Sequence, residues 1–169
     1  MTTSTTAAVH QSDGSPHAGG ATRQFSTFLL DNLYFGVEVL KVQEVIRYQD
    51  MTRVPMAPSV VQGLINLRGQ IVTAIDLRRR LDMPEREDDA RPMNVVVRTS
   101  DGVVSLLVDE IGDVLEVNQS DLERAPETLS GAAREVVTGV YKLKNRLLLA
   151  LDVEQVTVLD SEHAAERRN

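Results

Sequence analysis

The 169-residue chain contains no cysteine and no tryptophan, and aromatic residues make up only 4% of it. Without cysteine, a disulfide framework, thiol catalysis and a thiolate zinc site are all excluded. Histidine is nearly as scarce: His10, His17 and His163 all fall in terminal segments, where nothing orients them as metal ligands or as a catalytic base. No metal and no cofactor is therefore expected. Long apolar runs are missing too, and the longest, 147–151, is far short of the ~20 residues that a membrane-spanning helix needs. Basic charge is in the minority, with 18 Lys and Arg against 25 Asp and Glu, and a formal net charge of -7 argues against a general nucleic-acid binder. Residues 1–22 are rich in Thr, Ser, Gly and Ala, with neither the basic start nor the apolar stretch of a signal peptide. The expectation is a soluble, cytoplasmic protein with a disordered tail at 1–22, another at 161–169 and no direct membrane insertion.

What the chain has in quantity is valine, 23 residues of it, a composition suited to pleated sheet. Short apolar runs separated by turn residues predict strands at 25–30, 34–37, 42–48, 63–67, 71–75, 93–99, 103–108, 111–117, 136–143 and 147–151. Arg68-Gly69-Gln70 reads as a tight hairpin, and two short helices are expected, over 76–81 and 152–159. Many short strands at this spacing indicate barrels or a sandwich. The segment 84–92 carries six charges in nine residues between Pro84 and Pro92, and it divides the core into a lobe at about 34–83 and another at about 93–151. No internal sequence repeat stands out.

A search for chemistry is thin. No glycine-rich phosphate loop follows a strand, no nucleophile elbow exists, and no histidine is placed to activate a serine. Asp109, Glu110, Asp113 and Glu116 supply carboxylates, but beside Gly112 and Asn118 they read as solvated strand edges that block aggregation. Arg78, Arg79 and Arg80 form a basic cluster, read as a solvated helix face in preference to a phosphate site. A nucleic-acid-binding small barrel would need exposed stacking aromatics, whereas those present sit in strands where core packing accounts for them. An interaction module remains. Gly63 and Gly69 then mark left-handed turns or close backbone approach, and Arg68 projects from a hairpin tip.

Phe35-Gly36-Val37, Val42-Gln43-Glu44-Val45-Ile46, Val54-Pro55, Gly63, Asn66-Leu67-Arg68-Gly69 and Ile75-Asp76-Leu77 follow one another in a pattern that resembles the CheW-type chemotaxis coupling proteins. It continues through 106–109, Val114, Gly139-Val140 and 147–152, so the resemblance covers roughly 24–159, inside a domain placed at 23–160. It implies a mainly β fold of two pseudo-symmetric five-stranded SH3-like barrels flanking a hydrophobic groove, with strands near the termini crossing between lobes. It further implies a non-enzymatic scaffold that couples the cytoplasmic hairpin tip of methyl-accepting receptors to the regulatory domain of the histidine kinase CheA. Such an adaptor would be a monomer in isolation and part of receptor arrays at the inner face of the membrane, in a flagellar or a non-flagellar pathway. By the resemblance, receptor binding would use Val42, Glu44, Gly63 and Arg68, with kinase contacts spread over the barrel ends. Physically, Gly63 would admit a receptor helix, Val42 would add an apolar contact, and Arg68, held by Glu44, would reach a receptor carboxylate or amide.

Overall fold

The computed structural model describes residues 20–129 and 131–159. Apart from 20–22, the two expected tails lie outside the described residues, and Thr22 already opens the first strand. The strands are β1 (Thr22–Leu30), β2 (Leu33–Glu38), β3 (Val42–Ile46), β4 (Val61–Leu67), β5 (Gln70–Asp76), β6 (Met93–Thr99), β7 (Gly102–Val108), β8 (Glu110–Asn118), β9 (Val137–Lys142) and β10 (Leu147–Leu151). Three one-to-two-turn helices join them: α1 (Leu77–Arg80), α2 (Gly131–Val136) and α3 (Val153–Val156). No described helix is long and apolar enough to cross a membrane.

The strands form two five-stranded sheets, ordered β8-β1-β2-β10-β9 and β3-β6-β7-β5-β4. An isolated bridge caps the free side of the last strand in each: Glu123 pairs with Val140 on β9, and Thr52 pairs with Leu64 on β4. The first barrel is thus built from both ends of the chain and the second from its middle. This corrects the division at 84–92, because that segment only links α1 to β6 within the second barrel. Hydrogen-bond register and apolar faces, not position in the chain, decide which strands share a sheet. The chain changes barrels at the short turn Val39–Lys41 and again at Asp109, between β7 and β8.

Three cores follow from the alternation of side chains along each strand. One face of the first barrel buries Phe25, Tyr34, Tyr141, Leu148 and Ala150 together, and one face of the second buries Ile65, Leu67, Val72, Ala74, Val96 and Leu107. The other faces meet in a shared core, where Phe28, Phe35, Val37 and Leu149 from the first sheet pack with Ile75, Val95, Val97 and Leu106 from the second. Phe28 and Phe35 stack at 5.9 Å. Apart from Tyr48, which lies under the Arg91 guanidinium at 5.3 Å, every described aromatic residue is buried and serves packing.

The register reveals a repeat that is faint in the sequence. Val61, Gly63, Leu67, Ala74 and Asp76 recur 76 residues later as Val137, Gly139, Leu143, Ala150 and Asp152. Ala74 pairs with Ser105 where Ala150 pairs with Gly36, and Asn94 pairs with Leu107 where Phe25 pairs with Glu38. Asp76 ends β5, Asp152 follows β10 directly, and each caps a helix. The Asp76 carboxylate accepts from the Arg78 amide at 3.0 Å, and that of Asp152 accepts from the Glu154 amide at 2.9 Å. Two barrels with one register are therefore joined back to back through the shared core.

Candidate functional site

The hairpin between β4 and β5 closes in two residues. Arg68 and Gly69 both have positive φ, 50° and 89°, as a type I′ turn requires. The Asn66 side-chain oxygen accepts from the Gly69 amide at 2.8 Å and fixes the turn. Arg68 therefore stands at the tip with its side chain 72% exposed, and it donates from Nη2 to Oε2 of Glu44 on the neighbouring edge strand β3. That hydrogen bond outweighs the opposing effect of burial and, with the guanidinium charge, holds the Glu44 carboxyl below the usual carboxylate range. The pair engages Nη2 of the guanidinium and holds the rest of this exposed fork in one orientation.

Val42 and Gly63 stand elsewhere. Simple alternation would put Val42 beside Glu44, but β3 bulges between them: Val42 pairs with Val97 and Glu44 with Val96. The extra residue turns the two side chains to opposite faces, so Val42 packs against the shared core. Gly63 is also an internal fitting. A Cβ placed there would lie 2.7 Å from the Thr52 carbonyl oxygen and 3.0 Å from the Met51 Cβ, so what approaches its backbone is segment 51–52 of this chain and not a ligand. Gly139 meets the Glu123 carbonyl at the same 2.7 Å in the other barrel. We predict that Gly63→Ala lowers stability by about 1–2 kcal/mol through this overpacking. An unchanged thermal midpoint would show that the segment yields freely.

The arginines of α1 are neither a phosphate site nor a solvated face. Arg78 donates to both oxygens of Asp109, at 3.1 Å from Nε and 2.6 Å from Nη2, and to the Pro84 carbonyl at 2.9 Å. Arg79 pairs with Glu85 at 2.9 Å. Arg80 is buried and donates to the carbonyls of Val156 and Gln155 at 2.8 and 2.9 Å. Arg86, from the charged connection, reaches Asp109 and Asp76 at 2.8 Å each and the Leu107 carbonyl at 2.9 Å. Burial alone would push the Asp109 carboxyl up. The Arg78 hydrogen bonds, the Asp31 amide and the charges of Arg86 and Arg78 outweigh burial and hold it below the usual carboxylate range. Asp109 is thus a structural counterion with no lone pair left to serve as a general base.

Apolar side chains left exposed mark what the sequence reading missed. Val45 and Ile71 in the second barrel are 37% and 59% exposed, and Val114 and Leu147 in the first are 58% and 39% exposed. Each lies on the strand face that turns toward the shared core, and they correspond to one another in the repeat. Four aliphatic residues thus stay exposed at equivalent positions of the two barrels. Their signal was open to sequence reasoning only as aliphatic positions within strands, which does not separate margin from core.

The CheW-like domain family matches residues 24–160, nearly all of the described chain. The chain belongs to the CheW family. A chemotaxis protein CheW of Klebsiella aerogenes is 35% identical over 143 residues, which are 85% of this chain and 85% of that protein. Another, from Bacillus subtilis, is 33% identical over 138 residues, 82% of this chain and 88% of its relative. The fold matches the crystal structure of the scaffolding protein TtCheW from Thermoanaerobacter tengcongensis with a TM-score of 0.74, covering 83% of this chain and 95% of that one at 22% identity. Within the CheW fold of this chain, Glu44 and Arg68 form one exposed unit, while Val42 and Gly63 shape the barrel that carries it.

Proposed function

We propose that this chain is a non-enzymatic adaptor of a chemotaxis or related chemosensory pathway, one that joins the cytoplasmic hairpin tip of a methyl-accepting receptor to the regulatory domain of a CheA-type histidine kinase. The observation that carries the receptor half is the Arg68–Glu44 unit: an exposed guanidinium preset by a carboxylate at the tip of a rigid two-residue turn. A helical hairpin rich in carboxylates and side-chain amides offers the acceptors that such a fork suits, and Val45, Ile71, Val114 and Leu147 offer exposed apolar contacts. In this reading Val42 and Gly63 act on the receptor site indirectly, by setting the position of β3 and β4. The chain's membership of the CheW family and the names of its relatives support the chemotaxis setting.

The kinase half rests on the barrel ends. There the loop between β3 and β4 exposes Val54 and Met56, the latter completely and with a φ of 67°, and the corresponding stretch of the first barrel exposes Leu122. A kinase domain with a similar barrel would pair end to end with such surfaces. Each contact is small, so the adaptor works as a cytoplasmic monomer that gains strength by avidity in receptor arrays. Calorimetric titration of the full chain with the CheA regulatory domain of the same genome, with and without a receptor hairpin fragment, tests the proposal. Binding to the kinase domain that strengthens when the fragment is added is the expected result; a folded sample that binds neither would overturn the proposal.

A further inference from the structure

The repeat places two equivalent mouths side by side for comparison, and one of them is plugged. In the second barrel, Arg86 enters the mouth beside β5 and donates to Asp76, the residue that ends β5 and caps α1, and to the carbonyl of Leu107 on β7. The counterparts in the first barrel are Asp152, which directly follows β10 and caps α3, and Glu38 on β2. They line a cavity of about 250 Å³ with an apolar floor that includes Phe25, Leu122 and Tyr141. No side chain of the described residues takes the place of Arg86 there. Asp152 uses one oxygen to cap α3, and its other oxygen has no partner among the described residues.

Charge points the same way. The position held by Arg78 in the second barrel is Glu154 in the first, so the open mouth carries Glu38, Asp152 and Glu154. Two cations also line it. Arg23 is turned to Glu38 at 3.3 Å, and Lys41 acts on Glu154 only through its charge, while the Glu154 carboxylate is bound by the amide and hydroxyl of Ser100 at 2.8–3.1 Å. Asp152 caps α3 with no guanidinium on it, whereas Asp76 carries Arg86 on its capping oxygen at 2.8 Å and faces Arg79 with the other at 3.7 Å.

We infer that the first-barrel mouth is an acceptor site for an arginine side chain presented by a partner polypeptide, which would dock on Asp152 and the Glu38 strand as Arg86 docks on Asp76 and Leu107. Planar guanidinium geometry favours arginine over lysine, because one fork can serve a carboxylate and a neighbouring carbonyl together. The inference stands apart from the receptor reading, since Asp152 and Glu38 belong to the first barrel and Arg68 to the second.

Nuclear magnetic resonance of the full, isotope-labelled chain tests it with acetyl-Gly-Arg-Gly-amide as probe, its lysine analogue as control, and free arginine as the small-molecule alternative. The expected result is saturable shifts at the amides of Glu38, Thr138 and Glu154 with the arginine peptide, at least fivefold weaker binding of the lysine peptide, and no tighter binding of free arginine. Asp152→Asn keeps a competent helix cap and should weaken the peptide about tenfold, with the rest of the spectrum unchanged. Equal binding of lysine, tighter binding of free arginine, shifts that map elsewhere, or indifference to Asp152→Asn would each overturn the inference.

Discussion

Asp109→Ala is expected to lower folding stability by about 2–3 kcal/mol, below the ~3–5 kcal/mol typical of fully buried pairs because this carboxylate remains 18% exposed. The cost is not the loss of a single contact. Two guanidiniums, 15% and 10% exposed, would lose the carboxylate between them, leaving Arg86 with Asp76 at 2.8 Å and Arg78 with Asp31 at only 4.0 Å, and the Asp31 amide, which donates to Asp109 at 2.6 Å, would lose its acceptor. The damage would also be architectural. Asp109 is the residue at which the chain passes from the second barrel to the first, and its partners come from α1, from the connection after Pro84 and from the turn after β1. Denaturant unfolding of the alanine variant should show the loss, with a thermal midpoint lower by roughly 10 °C. Adding Arg86→Ala should cost more again, because Arg86 also holds Asp76 and the Leu107 carbonyl, but less than the two single losses added together, because both act in one network. A change below about 0.5 kcal/mol would mean that water replaces the carboxylate and that the network is ornamental.

The same group gives the protein an acid limb whose sign is fixed. A carboxyl held lower in the folded than in the unfolded state contributes stability that is whole above its unfolded value of ~3.9 and is lost as the pH falls through the folded value. Asp109→Asn should therefore differ most from the parent near neutrality and converge with it in strong acid. Parallel curves down to pH 2 would assign the acid limb to other carboxylates.

Much of this fold could be read from the chain because strand alternation, turn residues and apolar runs agree locally. Arg68-Gly69 specifies a type I′ hairpin, Asp76 and Asp152 mark strand-to-helix junctions, and each expected strand has a counterpart in the two sheets. Three features were out of reach for physical reasons. Membership of a sheet is set by long-range register, so the charge-rich stretch at 84–92 looked like a boundary although it serves as a strap. Bulges shift alternation by one residue, which is why Val42 and Glu44 separate. Helix α2 starts at Gly131 with a φ of 60°, and Ala133 and Val136 bury in the shared core, a long-range packing that no local pattern of the sequence announces. The candidate site was legible to the same degree. Charge at a turn singled out Arg68 and the resemblance added Glu44, whose pairing with it the structure shows, but two glycines that look alike in sequence serve different ends: Gly69 supplies a left-handed φ, and Gly63 supplies room for the Thr52 carbonyl.

Reversal of the exposed charge pair separates orientation from contact. Arg68→Glu should weaken binding of a receptor hairpin fragment roughly thirtyfold, the effect of removing a central arginine anchor, while binding of the kinase regulatory domain changes less than twofold. Folding should be little affected, since Arg68 is mostly solvated and its backbone is fixed by the Asn66–Gly69 hydrogen bond, which the substitution leaves alone. Two outcomes are then distinguished by the double variant Glu44→Arg/Arg68→Glu, which restores an ion pair of opposite sense across the same strands. If the pair matters only because it orders the hairpin, the double variant recovers receptor binding. If the guanidinium itself meets the receptor, restored pairing recovers nothing, because a carboxylate now stands at the turn tip and the arginine sits on β3, 21% exposed at best where Glu44 was. The geometry favours the second outcome: the turn holds the guanidinium at an exposed tip, where its remaining N–H groups are open to a partner in exchange for water. A folded Arg68→Glu variant that bound the receptor fragment as tightly as the parent would remove Arg68 from the interface altogether, and with it the reason for a charged residue at this tip.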